Sequence, residues 1–532
     1  MTNDAETRQE PRAAPAQDPA PTSAPPLRSA DIVIIGSGMG GGTLAYALRD
    51  LGARVLVLER GDYLPQEPQN WDPWAVFRDK RYKPRELWRD GDGRLYRPGV
   101  YYWVGGNTKM FGAALTRFRR EDFGALAHHD GESPAWPLTY DELEAYYCTA
   151  EDLYRVHGHL GGDPTEPPHS RDYPYPPLPH EPAIRALSAR LSDQGLHPFH
   201  LPMGIDYRPG GTCVWCQTCD GFPCRVHAKS DAEVCAIRPA LAAGNVALST
   251  RTKVLRLRTD PSGHRIVVAE VERDGERFEV KGNSFVLAAG AANTAAILLR
   301  SATDRHPRGL ANGSDCVGRY YMQHNMSAIM AVSPVRVNDS IFQKTIAIND
   351  VYLAGAHWPY PMGSLATFGK LLGPILKTAR PRVPLRALQA FARRSVDWWL
   401  MSEDLPDREN RVVVDAGGRI VVHRRLNNYT AHRELIAFAR RMLTRAGYPL
   451  VLHQEFGLET TSHHCGTARM GIDPADSVVD STGKAHDLDN LYIADSSVFP
   501  ASAANNPSLT IAALSLRLAD RHFGPLDNRI VQ

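Results

Sequence analysis

The stretch ADIVIIGSGMGGGTLAYALRDLGARVLVLERG, residues 30 to 61, constrains the fold of this chain more than any other. A short apolar, β-branched run leads into Gly36, Gly38 and Gly41 at G-x-G-x-x-G spacing. Helix-forming residues follow, and a second apolar run from Ala53 to Leu58 ends in Glu59. Strand, tight turn, helix, strand and acid, in that order, predict a βαβ unit that binds a dinucleotide. Gly36 allows the turn, Gly38 lets backbone amides approach a pyrophosphate, and Gly41 lets the helix pack closely on the sheet. Glu59 is placed to accept hydrogen bonds from a ribose. A Gly-rich turn without a ligand would leave the flanking strand and the terminal acid without a role.

A unit of this kind fills only a small part of 532 residues, so two to four structural units are expected, some of them interleaved in sequence. A net charge of +2 argues against nucleic acid as the main partner. No window approaches the roughly 18 to 20 uninterrupted apolar residues of a membrane span, and the N-terminus lacks a signal peptide's apolar core, which predicts a cytoplasmic protein. Residues 1–30 are rich in Pro, Ala and polar side chains with almost nothing to bury, and are expected to form a disordered tail.

The fingerprint alone does not separate NAD from FAD. Residues 489–520, DNLYIADSSVFPASAANNPSLTIAALSLRLAD, predict an apolar strand, a loop of small residues and a helix. Pro507 would sit in the first turn of that helix, and Asn505 or Asn506 would cap it. The partial positive charge at such a helix N-terminus suits negative charge on a reduced flavin, which favours FAD.

Together with the fingerprint, YYWVGGNTKMFGAALTRF, WPLTYDELEAYY, SFVLAAGAANTAAILLRSA, SEDLPDRENRV, HHCGTARMG and the closing segment run in order from about residue 30 to 522. As a set they resemble the glucose-methanol-choline (GMC) family of flavin oxidoreductases, and bacterial sugar and polyol dehydrogenases or oxidases in particular. The resemblance implies an α/β fold with a discontinuous Rossmann-type FAD-binding domain over 31–135, 225–320 and 455–525. A substrate domain on a mostly antiparallel sheet would take up 136–224 and 321–454. It further implies FAD contacts at Gly36, Gly38, Gly41, Glu59, Gly105, Gly106, Val254, Asp495 and the start of the last helix at Pro507. Members resembling this chain oxidise alcohols, including sugars and polyols, and pass the electrons to oxygen or another acceptor. Related lyases of the hydroxynitrile type keep the flavin without redox chemistry, and a non-catalytic flavin-binding subunit is a third class.

Alcohol oxidation on a flavin needs a base for the hydroxyl proton, and a histidine suits that task. The family pattern H-x-x-G-T, counted back from Gly466, selects His463. In an extended segment the neighbouring His464 would face the opposite way and serve in packing. The second family position carries Asn506, which cannot act as a base and would orient the alcohol oxygen by hydrogen bonding. A metal site at His463, His464 and Cys465 would need adjacent residues to converge on one point, which they do poorly. Cys465 reads as a packed cysteine.

Cys213, Cys216, Cys219 and Cys224 place half of the eight cysteines within twelve residues. Iron-sulfur or zinc ligation, structural thiols and disulfides all remain open for them, and the spacing departs from the ferredoxin run. Some GMC relatives carry a comparable cluster that resembles an iron-sulfur relay. Covalently flavinylated relatives have His where this chain has Met110, so FAD is expected to be held non-covalently. Phe111 resembles the aromatic residue of bacterial sugar dehydrogenases. Residues 371–400 carry Lys377, Arg380, Arg382, Arg386, Arg393 and Arg394 among apolar residues, as a partly exposed helical pair, a cover for the active-site entrance or a peripheral membrane contact would. Pro381 and Pro384 interrupt any single helix there.

Overall fold

The computed structural model describes residues 27–526. Residues 1–26 of the expected tail lie outside the described residues, and Ser29 and Ala30 already belong to the first strand. The apolar run from Ser29 to Ile35 forms β1, the glycine-rich segment Met39–Ala47 forms α1, and Val55–Leu58 forms β2. β1 and β2 pair in parallel register, Ile32 opposite Val55 and Ile35 opposite Leu58. Val33, Ile34 and Val57 are fully buried, as expected of a parallel sheet covered on both faces.

Further along the chain come β3 (Val246–Ser249), β4 (Thr252–Thr259), β5 (Ile266–Arg273), β6 (Glu276–Leu287) and α2 (Ala291–Arg300). A second set follows: β7 (Asn325–Val332), β8 (Ile346–Ile348), β9 (Ser364–Thr367), α3 (Gly373–Ala379), α4 (Leu385–Ala392), β10 (Ser395–Ser402), α5 (Tyr429–Arg445) and β11 (Leu450–Glu455). The chain closes with β12 (Leu491–Ile493) and α6 (Ser508–Phe523).

These strands build two principal sheets. The seven-stranded sheet runs β3-β2-β1-β6-β5-β4, with β12 also on β6. Its β3, β2, β1, β6 and β12 are parallel, while β4, β5 and the first half of β6 form an antiparallel meander. The six-stranded sheet runs β11-β7-β10-β9-β8 and ends on the two-residue strand Phe199–His200, every pairing antiparallel. The architecture is therefore mixed α/β, a Rossmann-type sheet joined to an antiparallel one.

Alternation along β7 explains how the second sheet serves two neighbours. Ile329 and Ala331 point into a core shared with Leu435, Ala439 and Leu443 of α5, while Met326, Ala328 and Met330 line a large cavity. β10 does the same, with Trp398 and Leu400 in the core and Trp399 and Met401 on the cavity. The cavity thus lies between the antiparallel sheet and the C-terminal ends of the parallel strands, where open α/β sheets bind ligands. The basic segment 371–400 folds as α3, a turn through Pro381 and Pro384, and α4. Ile375, Leu376, Val383, Leu388 and Phe391 line the cavity, so this helical pair covers it. Among the described residues no helix is long and apolar enough to cross a membrane.

Candidate active site

The glycines of the first turn have separate steric reasons. Gly36 has φ +105°, and a Cβ there would overlap the Ala288 carbonyl; at Gly41 it would overlap the carbonyl of Gly36. At Gly38 a Cβ would meet no protein atom within 4 Å, so this backbone faces the cavity and leaves room for a ligand. The first turn of α1 holds no acid, so its N-terminal amides and dipole are available to an anion.

Around this turn the sequence-selected residues converge. Glu59 accepts from the Ser37 amide at 3.1 Å and its hydroxyl at 2.6 Å, and from the Gly61 amide at 2.8 Å; burial pushes its carboxyl above the usual range. The Gly105 amide donates to the Ser37 hydroxyl at 3.1 Å, and Gly106, at φ +56°, closes against Gly38. Asp495 is buried and accepts from the Gly290 amide and the Thr294 hydroxyl through one oxygen and from the Ser497 amide through the other. Burial raises its pKa. Gly36, Gly38, Glu59, Gly106, Val254, Asp495 and Pro507 all line one cavity of about 920 Å³, near the upper end of small-molecule sites. Gly41 and Gly105 stand behind this wall, shaping the turns.

His463 and Asn506 line the same cavity. His463 belongs to a segment that pairs with the strand end before β7: Cys465 and Met322 exchange backbone hydrogen bonds of 2.9 and 3.0 Å. Burial, then His324, His464 and the Lys344 cation, hold His463 well below the usual histidine pKa, which keeps it neutral at pH 7. His464 is buried with its ring against Trp88 and Tyr321, and its Nε2 lies 2.9 Å from the Thr461 carbonyl. Cys465 is buried, and burial pushes its thiol well up.

The end of the chain needs one correction. Pro507 stands at the N-cap of α6 rather than inside its first turn, and neither Asn505 nor Asn506 caps the helix through its side chain. The Asn505 side chain is engaged elsewhere, bonding Thr116, the Arg117 carbonyl and the Asn506 amide. That leaves Asn506 directed to the cavity wall.

The cysteine cluster is the second correction. All eight cysteines are free thiols, which removes the disulfide reading. Among the described residues no group of three or more His, Cys, Asp or Glu side chains is placed to hold a metal, so Cys213, Cys216, Cys219 and Cys224 as arranged here do not fit an iron-sulfur or zinc site. Cys213 and Cys219 pack with Phe111, Phe342 and Trp215, and burial pushes the Cys213 thiol up to about 12 and that of Cys219 higher. Cys224 accepts from the Ala228 amide, and Cys216 from the Thr218 hydroxyl.

Three positions at or beside the cavity were not singled out from sequence. His324 contacts His463, Nδ1 to Nδ1, at 2.9 Å. Lys344 and Asp220 form a 2.6 Å ion pair on the cavity wall beside Gly112, where any side chain would collide with both. Chain segments more than a hundred residues apart supply these contacts, and no local spacing announces them.

Comparison with known proteins shows the family and the fold. Models described as GMC oxidoreductase match residues 202–326 and 425–515, and an NAD(P)-binding Rossmann-like domain model matches 34–64. The 6'''-hydroxyparomomycin C oxidase of Streptomyces lividus is 32% identical, over 92% of this chain and 90% of its own. The fructose dehydrogenase large subunit of Gluconobacter japonicus is 28% identical, over 92% and 97% respectively. The crystal structure of pyridoxine 4-oxidase from Mesorbium loti superimposes with a TM-score of 0.66 at 21% identity, covering 93% of this chain and 99% of that one.

Proposed function

The chain belongs to the GMC oxidoreductase family, and from that premise we propose that it holds FAD non-covalently and oxidises a primary or secondary alcohol of a sugar or polyol to the aldehyde or ketone. The observation that carries this reading is that His463 and Asn506 lie on the wall of the same cavity as Gly36, Gly38 and Glu59. A cofactor lying along the fingerprint would therefore reach them. Glu59 would hold its ribose, the amides from Gly38 onward its pyrophosphate, and the Asp495–Ser496 turn with the start of α6 its ring system.

Bound there, FAD supplies the hydride acceptor. Its ring would meet Met110, a buried thioether on the cavity wall with no exchangeable proton, which is why no covalent link is expected. His463, neutral because it is buried, accepts the hydroxyl proton. The Asn506 amide directs the alcohol oxygen toward that base. Gln217, Asp220 and Lys344 also line the cavity and add polar groups to its wall, which favours a polyhydroxylated donor over a simple aliphatic alcohol. The named activities of the aminoglycoside oxidase and the fructose dehydrogenase support the same class.

The test is anaerobic mixing of the yellow protein with a panel of sugars, polyols and aliphatic alcohols. Bleaching of the flavin band by a sugar or polyol, with intact FAD released on denaturation, is the expected result. Flavin that no alcohol reduces would sink the redox reading, and flavin precipitating with the polypeptide would sink the non-covalent one. Reoxidation by oxygen or only by an artificial dye then separates oxidase from dehydrogenase.

A further inference from the structure

The bridge between Met322 and Cys465 sets an antiparallel register that brings His324 opposite His463 on the same side of the pleat. Their Nδ1 atoms are 2.9 Å apart and the rings meet edge to face, 85° between planes. On its other side His324 Nε2 lies 3.1 Å from the Ser502 carbonyl oxygen. His324 is 2% exposed. Glu403 and Arg424 are the charged groups facing it, and Lys344 and His464 face His463.

A carbonyl oxygen can only accept, so His324 Nε2 carries a hydrogen. Burial holds His324 below the ordinary histidine pKa, so its ring is neutral and its Nδ1 has a bare lone pair. A 2.9 Å contact between two ring nitrogens needs one hydrogen, and His463 Nδ1 has to supply it. The second nitrogen of His463 is then bare, and among the described residues it hydrogen-bonds no protein group while its ring lines the cavity.

We propose that His324 is a positioning residue that fixes His463 as its Nδ1–H tautomer, leaving Nε2 as the proton-accepting atom toward the cavity. This rests on the reading of His463 as the base. When the alcohol O–H breaks, its proton bonds Nε2 and its electron pair stays on oxygen. The ring becomes imidazolium with its Nδ1–H still donated to His324, so the new charge is met by a lone pair already in place. The Ser502 carbonyl completes the chain, as the third member of a catalytic triad orients the base in hydrolases.

Histidine-selective 15N labelling of the holoenzyme tests this without turnover. The His463 signals, identified by their loss in His463→Ala, should show Nδ1 protonated and Nε2 bare at pH 7.5. The reverse pattern would overturn the tautomer. His324→Phe should shift His463 toward the Nε2–H form and slow flavin reduction by roughly 10- to 100-fold, since a wrong tautomer cannot accept the proton until it rearranges. His324→Gln, whose amide can accept from His463 and donate to Ser502, should keep the Nδ1–H pattern and most of the rate, and it serves as the folded control if the Phe variant does not fold. An Nδ1–H pattern that persists in a folded Phe variant, or is lost in the Gln variant, would remove His324 from the positioning role. Failure of the base reading shows separately, as full flavin reduction by His463→Ala.

Discussion

Replacing His463 with Ala is expected to slow reduction of the bound flavin by roughly 100- to 10,000-fold, the range for a lost general base, while FAD stays bound. His464 also reaches the cavity wall, but His464→Ala should cost far less in rate, because that ring packs on Trp88 and Tyr321 and its Nε2 is held at the Thr461 carbonyl. Asn506→Ala should fall between them, a misoriented alcohol still meeting a competent base. Rapid-mixing traces of the three variants check the ordering, and an unimpaired, well-folded His463 variant beside a dead His464 variant would reverse the assignment. The pH profile is a separate expectation. A base held neutral well below the ordinary histidine pKa stays competent as pH falls, so flavin reduction should show no inflection near 6.5 and weaken only at lower pH. A midpoint close to 6.5 would mean that His463 is not desolvated in the working enzyme. At this scale the residues that meet at the cavity were legible where a local pattern marks them: Gly36, Gly38 and Glu59 in the fingerprint, and His463, which the family pattern counts back from Gly466. His324 was not readable, because only the register of two distant segments brings it opposite His463.

Elements follow the same division. Pro381 and Pro384 announce the break between α3 and α4, since proline ends helices locally. The start of α6 was misread by one position because Asn505 has tertiary partners, Thr116 and Arg117, that compete with a capping role. α5 is tied to the antiparallel sheet by an element-scale device of its own, His432, whose ring nitrogens lie 2.8 Å from the Ser327 hydroxyl on β7 and 3.0 Å from that of Ser402 on β10. Burial lowers its pKa to about 4. In the unfolded chain the same ring takes a proton near pH 6.5, so between about 6.5 and 4 the unfolded state binds more protons and this group's contribution to stability falls as pH falls. Relative to His432→Asn, the wild-type protein should therefore lose about 1.4 kcal/mol per pH unit across that window. Urea unfolding of both proteins at several pH values measures the difference, and a stability gap independent of pH would show that the ring is already protonated when folded.

At the scale of the whole molecule the cavity is bounded by both sheets, by α3 and α4 and by the start of α6, so a cofactor lying in it touches every large part of the protein. Stripping FAD should lower the melting temperature, and adding it back should restore stability by about 2.7 kcal/mol at one hundred times the dissociation constant. A melting temperature indifferent to FAD would place the cofactor elsewhere. The fold class was legible because the fingerprint and the closing segment each dictate a βα unit. The pairing of β7 with both β10 and β11 was not, since antiparallel partners far apart in sequence leave no mark on either strand. The return of β12 to the seven-stranded sheet also has a consequence for biosynthesis. β6 ends at Leu287 and β12 begins at Leu491, so at 5 to 20 residues per second a ribosome needs on the order of 10 to 40 s to deliver the second after the first. Through that interval Phe285, Val286 and Leu287 present an unpaired apolar edge, the kind of template that invites mispairing between nascent chains. Yield from a heterologous host is therefore expected to depend on the speed of translation and the supply of chaperones across those two hundred codons as well as on the stability of the finished enzyme.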